Sequence, residues 1–187
     1  MSSLFTVQTD VFFGLPLFRE TIKSIQDQTY QNLEIIISNN GAGQEITDFI
    51  SETKKTDKRV KVITYEKNIF SYDDPSEFCH VGYNNALKIA EGKYMYLISY
   101  DDKIALDYIE RMARLFDENP ECISAAGLPI RIDIEGRVRP RETRERSKRS
   151  HNIRPRYMPG HELALDYLDP TIDGKMFGAP GTIFTFR

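Results

Sequence analysis

Hydrophobic and polar positions follow two different periods along this chain. Short apolar runs rich in β-branched residues are typical of strands, and apolar residues that recur every three or four positions predict amphipathic helices. Predicted strands cover residues 4–13, 33–37, 60–65 and 94–98, and another strand begins at Cys122. Predicted helices cover residues 16–28, 46–54, 80–90 and 106–116. This alternation predicts an α/β fold with a mostly parallel sheet flanked by helices.

Polar residues follow several of the predicted strands. Right-handed crossovers bring the loops after parallel strands to one edge of the sheet, where ligands of open α/β sheets bind. The residues expected at this edge are Asp10, Asn39, Asn40, Asn68, Asp101 and Asp102. Because Asp101 and Asp102 are paired carboxylates after an apolar strand, they suggest a hard divalent cation and a phosphorylated ligand. The alternative is that this pair caps the next helix.

Composition indicates an ordinary globular domain. The chain has 187 residues, of which 40% are hydrophobic and 28% charged, and this length is sufficient to bury a core. Its two cysteines are far apart and form no metal-binding or disulfide pattern. The N-terminal segment has no basic region typical of a signal peptide. These features predict a cytoplasmic location.

Positive charge is concentrated late in the chain. Residues 137–156 hold nine Lys or Arg and two Glu, a net charge of +7, so the remainder carries −10. Such a tract suits phosphates or peripheral contact with an anionic membrane face, or it is a solvated loop. It has no interleaved aromatic residues for base stacking, so nucleic acid is not an expected partner.

Two segments carry a family resemblance. Residues 24–37 read SIQDQTYQNLEIII, and residues 90–102 read AEGKYMYLISYDD. Both are similar to segments of family 2 glycosyltransferases, as are residues 57–68, 125–138 and 178–187, in the same order. The chain resembles the N-terminal catalytic region of such an enzyme, which implies the GT-A fold.

The resemblance implies a reaction. Family members transfer a sugar from a nucleotide-diphosphate sugar to an acceptor, here expected to be a glycan or a lipid-linked sugar. Their acidic motif binds Mn²⁺ or Mg²⁺, which neutralises charge on the departing diphosphate. Asp101 matches the metal-binding position and Asp102 follows it. The expected cofactor is therefore Mn²⁺ or Mg²⁺, held by these two residues.

The chain departs from the family pattern around the predicted nucleotide site. Ser99 stands at the first acidic position of the motif, and Tyr100 follows it. Asn39 and Asn40 replace an acidic pair that reads the base, and as amides they still carry donors and acceptors. The alternative for these two is an ordinary Asn-Asn-Gly turn.

Two further positions complete the predicted site. Phe12 matches a family tyrosine and is a candidate to stack on the base, with the core as its alternative. Asn84 matches an asparagine of the helix before the metal strand, although Tyr83 replaces the arginine beside it. The residues predicted to bind the nucleotide sugar are Phe12, Asn39, Asn40, Asn84, Ser99 and Tyr100.

The catalytic base is not assigned. Asp166, Asp169 and Asp173 are candidates, but residues of this kind more often cap or solvate a helix end. We expect residues 1–187 to form one GT-A-like domain, with a nucleotide-binding half at 1–136. Residues 137–187 would form the basic loop and the start of an incomplete acceptor half. The alternative function is an inactive GT-A-like module that binds nucleotide or glycan.

Overall fold

The computed structural model describes residues 2–73, 77–127, 130–139, 182–185 and Pro159. The strands are β1 (Phe5–Val11), β2 (Leu33–Asn40), β3 (Val60–Tyr65), β4 (Tyr94–Ser99), β5 (Ser124–Ala126) and β6 (Thr182–Thr185). The helices are α1 (Leu15–Gln26), α2 (Gln44–Thr56), α3 (Glu77–Leu87) and α4 (Tyr108–Glu118). Strands and helices alternate from β1 to β5, which confirms the predicted order.

The sheet is mostly parallel, as expected. Its strand order is β3-β2-β1-β4-β6-β5. β1 pairs in parallel with β2 and β4, and β2 pairs in parallel with β3. β6 runs antiparallel to β4. All seven residues of β1 are buried, because this central strand has neighbours on both sides and helices on both faces.

Helical spacing places the apolar residues of α1 and α4 in the core. α1 buries Phe18, Ile22 and Ile25, and α4 buries Ile109 and Phe116 among others. These residues are separated by three, four or seven positions and therefore lie on one face of each helix. Together with α2, they cover one face of the sheet, and α3 covers the other through Ala86.

Most predicted bounds differ from the observed ones by one to three residues, and two strands show how pairing decides where a strand forms. β2 continues to Asn40, because Asn39 and Asn40 pair with Thr64 and Tyr65 of β3. β6 was not predicted, although its segment carries part of the family resemblance. Its four residues contain no period that separates a strand from a loop, and pairing with β4 makes it a strand.

The chain divides into two compact units, residues 1–125 with 183–187, and residues 126–182. In the second unit, Ile132 and Val138 form an antiparallel bridge around a turn in which Gly136 has a φ of 79°. The predicted hairpin turn at Glu135-Gly136 is thereby confirmed. The division at residue 136 stays a prediction, and residues 140–156 of the basic tract lie outside the described residues. Within the described part of the chain, no helix has the length and apolar character to cross a bilayer.

Candidate functional site

Four parallel strands end together at one edge of the sheet. In the pairing register, Asp10 of β1 lies beside Ser99 of β4, and Val11 lies beside Asn39 of β2. Asn40 ends β2 beside Tyr65 of β3. This carboxyl edge therefore brings together residues that the sequence placed there from the order of strands alone.

The acidic pair lies in a turn directly after β4. The Asp102 N–H donates to the Ser99 carbonyl (3.2 Å), and the Ser99 hydroxyl donates to Oδ1 of Asp101 (2.5 Å). Asp101 is exposed and Asp102 is half-buried. α4 begins only at Tyr108, after Asp107. The alternative that the pair caps the next helix is therefore wrong.

A buried threonine of α1 anchors this turn. The Thr21 hydroxyl lies 2.6 Å from the Tyr100 carbonyl oxygen and 2.8 Å from that of Asp102. Thr21 is fully buried, so water does not compete for its hydroxyl. It was missed in the sequence, because a threonine on a helix face carries no local signal for a contact made 79 residues away.

Five aromatic rings form a continuous line along the edge, which we call the aromatic row: Tyr72, Phe70, Phe12, Phe13 and Tyr100. Successive ring centroids are 5.2, 5.2, 4.5 and 4.9 Å apart. The Phe70 and Phe12 rings are stacked, with an interplanar angle of 24°. The row begins in the loop after β3 and ends at the residue before Asp101.

Phe12 is half-buried in this row and is absent from the buried core clusters among the described residues. The core alternative for Phe12 is therefore not what the structure shows. Tyr100 closes the row against α1, because Gly14 leaves space for its ring. A Cβ at Gly14 would lie 2.9 Å from the Tyr100 ring, and Gly14 also has a φ of 78°.

Asn39 is buried and holds the loop after β2. Its Oδ1 accepts from the Ala42 N–H (2.9 Å), and its Nδ2 donates to the Thr47 hydroxyl (3.2 Å). Only 4% of the residue is exposed. Both ends of the amide are therefore engaged within the protein, as in the turn alternative.

Asn40 is also buried and holds the loop after β3 in place. Its Nδ2 donates to Oδ1 of Asn68 (2.9 Å), and its Oδ1 accepts from the Ile69 N–H (3.0 Å). Gly41 permits this approach, since a Cβ there would lie 2.2 Å from the Asn68 nitrogen. For both asparagines, the geometry favours a structural role over contact with a base.

Asp10 is a buried carboxyl group at the end of β1. It is 7% exposed, and its Oδ1 has no hydrogen-bond partner among the described residues. Burial raises the pKa of Asp10 to about 6, against the opposing effect of hydrogen bonds with Gln8 and Ser38. α3 covers this carboxyl at Gly82, where a Cβ would lie 2.0 Å from Oδ1.

Asn84 lies on α3 and is exposed. The described residues provide no hydrogen-bond partner for its side chain, in contrast to the neighbouring Asn85, which donates to the Tyr65 hydroxyl (3.0 Å). Asn84 is therefore accessible to a ligand. Its role in nucleotide binding stays a prediction.

The oxygen ligands at the edge suit a cation shared with a ligand. Among the described residues, no group of three or more His, Cys, Asp or Glu side chains is placed to hold a metal. Mg²⁺ is typically held by one or two carboxylates, with phosphate oxygens and water completing its shell. Asp101 and Asp102 fit that pattern, and Ser99 holds one oxygen of Asp101 in position.

Comparison with known proteins identifies the family. Residues 11–178 match the sequence model of the family described as Glycosyl transferase family 2. The chain belongs to glycosyl transferase family 2. It is 32% identical over 120 residues to a glycosyltransferase of Haemophilus influenzae, covering 62% of this chain and 33% of the relative. It is 26% identical over 127 residues to the putative teichuronic acid biosynthesis glycosyltransferase TuaG of Bacillus subtilis, covering 68% and 47%.

Solved structures confirm the GT-A fold of this family 2 chain. The mannosyltransferase PcManGT from Pyrobaculum calidifontis, in complex with GDP-Man and Mn²⁺, superposes with a TM-score of 0.59 at 15% identity, covering 78% of this chain and 38% of that protein. S. aureus TarS 1–349, in complex with UDP-GlcNAc, superposes with a TM-score of 0.60 at 16% identity, covering 97% and 45%. This chain thus spans less than half the length of these glycosyltransferases.

Proposed function

We propose that this chain is the donor-binding part of a metal-dependent glycosyltransferase. The enzyme would move a sugar from a nucleotide-diphosphate sugar to a glycan or lipid-linked acceptor. The observation that carries the proposal is the anchored turn that presents Asp101 and Asp102 at the carboxyl edge of a family 2 sheet. The bound GDP-Man with Mn²⁺ and UDP-GlcNAc of the structural neighbours support it.

The chemistry needs charge stabilisation at this edge. When the bond to the sugar breaks, the leaving nucleoside diphosphate gains negative charge, which a bound Mn²⁺ or Mg²⁺ would neutralise. Asp101 and Asp102 would hold that ion. The Ser99 hydroxyl orients the Asp101 carboxylate, and Thr21 keeps the turn in place through its carbonyls. Asn84 is accessible to the phosphates from α3.

Ligand-induced stabilisation tests the proposal. A ligand that binds only the folded state raises the melting temperature by mass action. We expect at least one nucleotide sugar to raise the Tm of the wild-type chain with Mn²⁺ and not with EDTA. Asp101→Asn should lose this shift. Glu52→Gln removes the same charge from an exposed position on α2 and should keep it. No shift with any donor would contradict the proposal.

The inactive binding module is the alternative. The observation that favours it is the neutral Ser99 hydroxyl at the first position of the acidic motif, where the family has a carboxylate. Donor hydrolysis separates the two functions. An enzyme should release nucleoside diphosphate from its donor with Mn²⁺, measured by a coupled assay on the full-length protein. A chain that binds the donor but releases nothing is the binding module.

We further propose that the protein works in the cytoplasm, with residues 137–156 in peripheral contact with the inner membrane face. The +7 charge of this tract supports contact with anionic lipid. The chain should sediment with vesicles that contain phosphatidylglycerol at low salt and stay in the supernatant at high salt. Retention on neutral vesicles to the same degree would contradict this proposal.

A further inference from the structure

β3 forms a free edge of the sheet. Within the described residues it pairs only with β2, in parallel. The Ile35 N–H donates to the Arg59 carbonyl oxygen (2.9 Å), and successive residues of a strand point their backbone groups to opposite sides. Every second residue after Arg59 therefore faces β2, whereas the N–H and C=O groups of Val62 and Thr64 face outward. A row of outward backbone groups at a sheet edge can accept a further strand.

A groove of about 550 Å³ lies at this edge, and we call it the β3 groove. Val60, Lys61 and Val62 all line it. Because consecutive residues of a strand point to opposite faces of the sheet, the groove straddles the edge rather than one face. Ile89 and Ala90, which follow α3, add apolar surface, and Ile89 is 39% exposed. The β3 groove thus offers an extended chain both backbone hydrogen bonds and apolar contact.

The β3 groove is also positively charged. Three lysines and one glutamate line it, a net charge of +2. The glutamate is Glu91, which lies 3.0 Å from Nζ of Lys61, and the same Nζ lies 2.7 Å from the buried Glu34. Lys54 and Lys88 are exposed, and neither forms an ion pair within the described part of the chain. A ligand in the groove therefore meets the charges of these two lysines.

We propose that the β3 groove binds an extended acidic segment of a partner protein, which adds a strand to the edge of the sheet. The backbone groups of Val62 and Thr64 pair with that segment, and its carboxylates contact Lys54 and Lys88. A second copy of this chain fits less well, because both copies would bring the same lysines to the interface. Charge complementarity instead favours an acidic partner.

Amide hydrogen exchange of the free chain, resolved by residue with NMR, tests whether the edge is open. The N–H groups of Lys61 and Ile63 face β2 and should exchange slowly. Those of Val62 and Thr64 should exchange about tenfold faster or more. Equal protection of Val62 and Ile63 would overturn the proposal, because a segment of this chain or a second copy would then cover the edge.

A synthetic peptide of about nine residues, in which glutamate alternates with valine, tests the chemistry of the partner. Titration of the whole chain, followed by NMR, should shift resonances of β3 and of residues 88–91. The same peptide with lysine in place of glutamate should bind about tenfold more weakly or less. Equal binding of the two peptides would overturn the proposal, as would no binding of the acidic peptide at millimolar concentration.

Substitutions locate the contact. Val62→Pro removes an outward N–H without removing a bond to β2, as proline permits on an edge strand, and should weaken the acidic peptide by about fivefold or more. Val62→Thr keeps the N–H and should bind as the wild type does. Lys54→Glu combined with Lys88→Glu should remove the preference for the acidic peptide.

Lys55→Glu is the matched control for the charge reversal. Lys55 is an exposed lysine in the same helical turn as Lys54, pairs with Glu52 (3.6 Å) and does not line the groove. Its substitution should leave the preference for the acidic peptide intact. An unchanged preference in the Lys54→Glu and Lys88→Glu double variant would overturn the proposal, whether or not Val62→Pro folds.

Discussion

Asp10→Asn should stabilise the protein at neutral pH. Burial raises the pKa of Asp10 from 3.8 to about 6 in the folded state. Each pKa unit corresponds to about 1.36 kcal/mol, so the ionised carboxyl lowers the free energy of unfolding by about 3 kcal/mol. Asparagine has nearly the same shape and no charge to bury. At pH 7–8, Asp10→Asn is therefore expected to raise the free energy of unfolding by about 3 kcal/mol at most.

The sign of the pH dependence follows from the raised pKa. Below pH 3.8 the carboxyl is protonated in both states and contributes nothing to the difference. As the pH rises to about 6, the unfolded chain loses its proton first, and the wild type is progressively destabilised. Above that pH the destabilisation of the wild type stays constant. The advantage of Asp10→Asn should thus appear between about pH 4 and pH 6.

Urea unfolding of the metal-free wild type and Asp10→Asn at pH 4, 5, 6, 7 and 8 measures this difference. Asp48→Asn is the control, because Asp48 is an exposed aspartate of α2, and its effect should stay within about 0.5 kcal/mol at every pH. The reasoning is refuted if the difference between Asp10→Asn and the wild type is the same at pH 4 and pH 8.

Three other substitutions test the architecture of the site. Gly82→Ala places a Cβ 2.0 Å from the Asp10 carboxyl and should lower the free energy of unfolding in urea by about 1–3 kcal/mol. Gly43→Ala is the control and should be nearly neutral, because a Cβ there meets nothing within 4 Å; equal effects of the two variants would contradict the close packing at Gly82. Thr21→Val removes the hydroxyl that anchors the acidic turn and should weaken Mn²⁺-dependent nucleotide binding in calorimetry while the chain stays folded; unchanged affinity would show that the turn needs no anchor. Asn40→Ala leaves the Ile69 N–H and Asn68 without their partner and should lower the free energy of unfolding in urea by about 1–3 kcal/mol. A smaller loss of stability would show that the loop after β3 keeps its conformation without this amide.

Much of the fold could be predicted because burial leaves a local period in the sequence. The predicted bounds of β3 match the structure at residues 60–65, and the helical spacing of α1 and α4 located both helices. β6 and the last residues of β2 were not predicted as strands. Both depend on a partner strand distant in sequence, since backbone hydrogen bonds define a strand only when a neighbour is present.

Some residues of the candidate site could likewise be predicted from the sequence, and others could not. The Asp101-Asp102 pair could be found from the sequence, because adjacent carboxylates after an apolar strand are a local pattern. Thr21 and Gly82 could not be found. One acts through carbonyls 79 and 81 residues away, and the other through its closeness to Asp10. Neither contact produces a recognisable pattern in the residues next to it in the sequence.

The sequence by itself determined the family, the order of the strands and the edge of the sheet at which the acidic pair lies. Only the tertiary structure decided what Asn39 and Asn40 bind. A side-chain amide offers the same donor and acceptor to a base as to the protein backbone. The choice depends on whether partners lie within about 3 Å, and here the loops after β2 and β3 supply them.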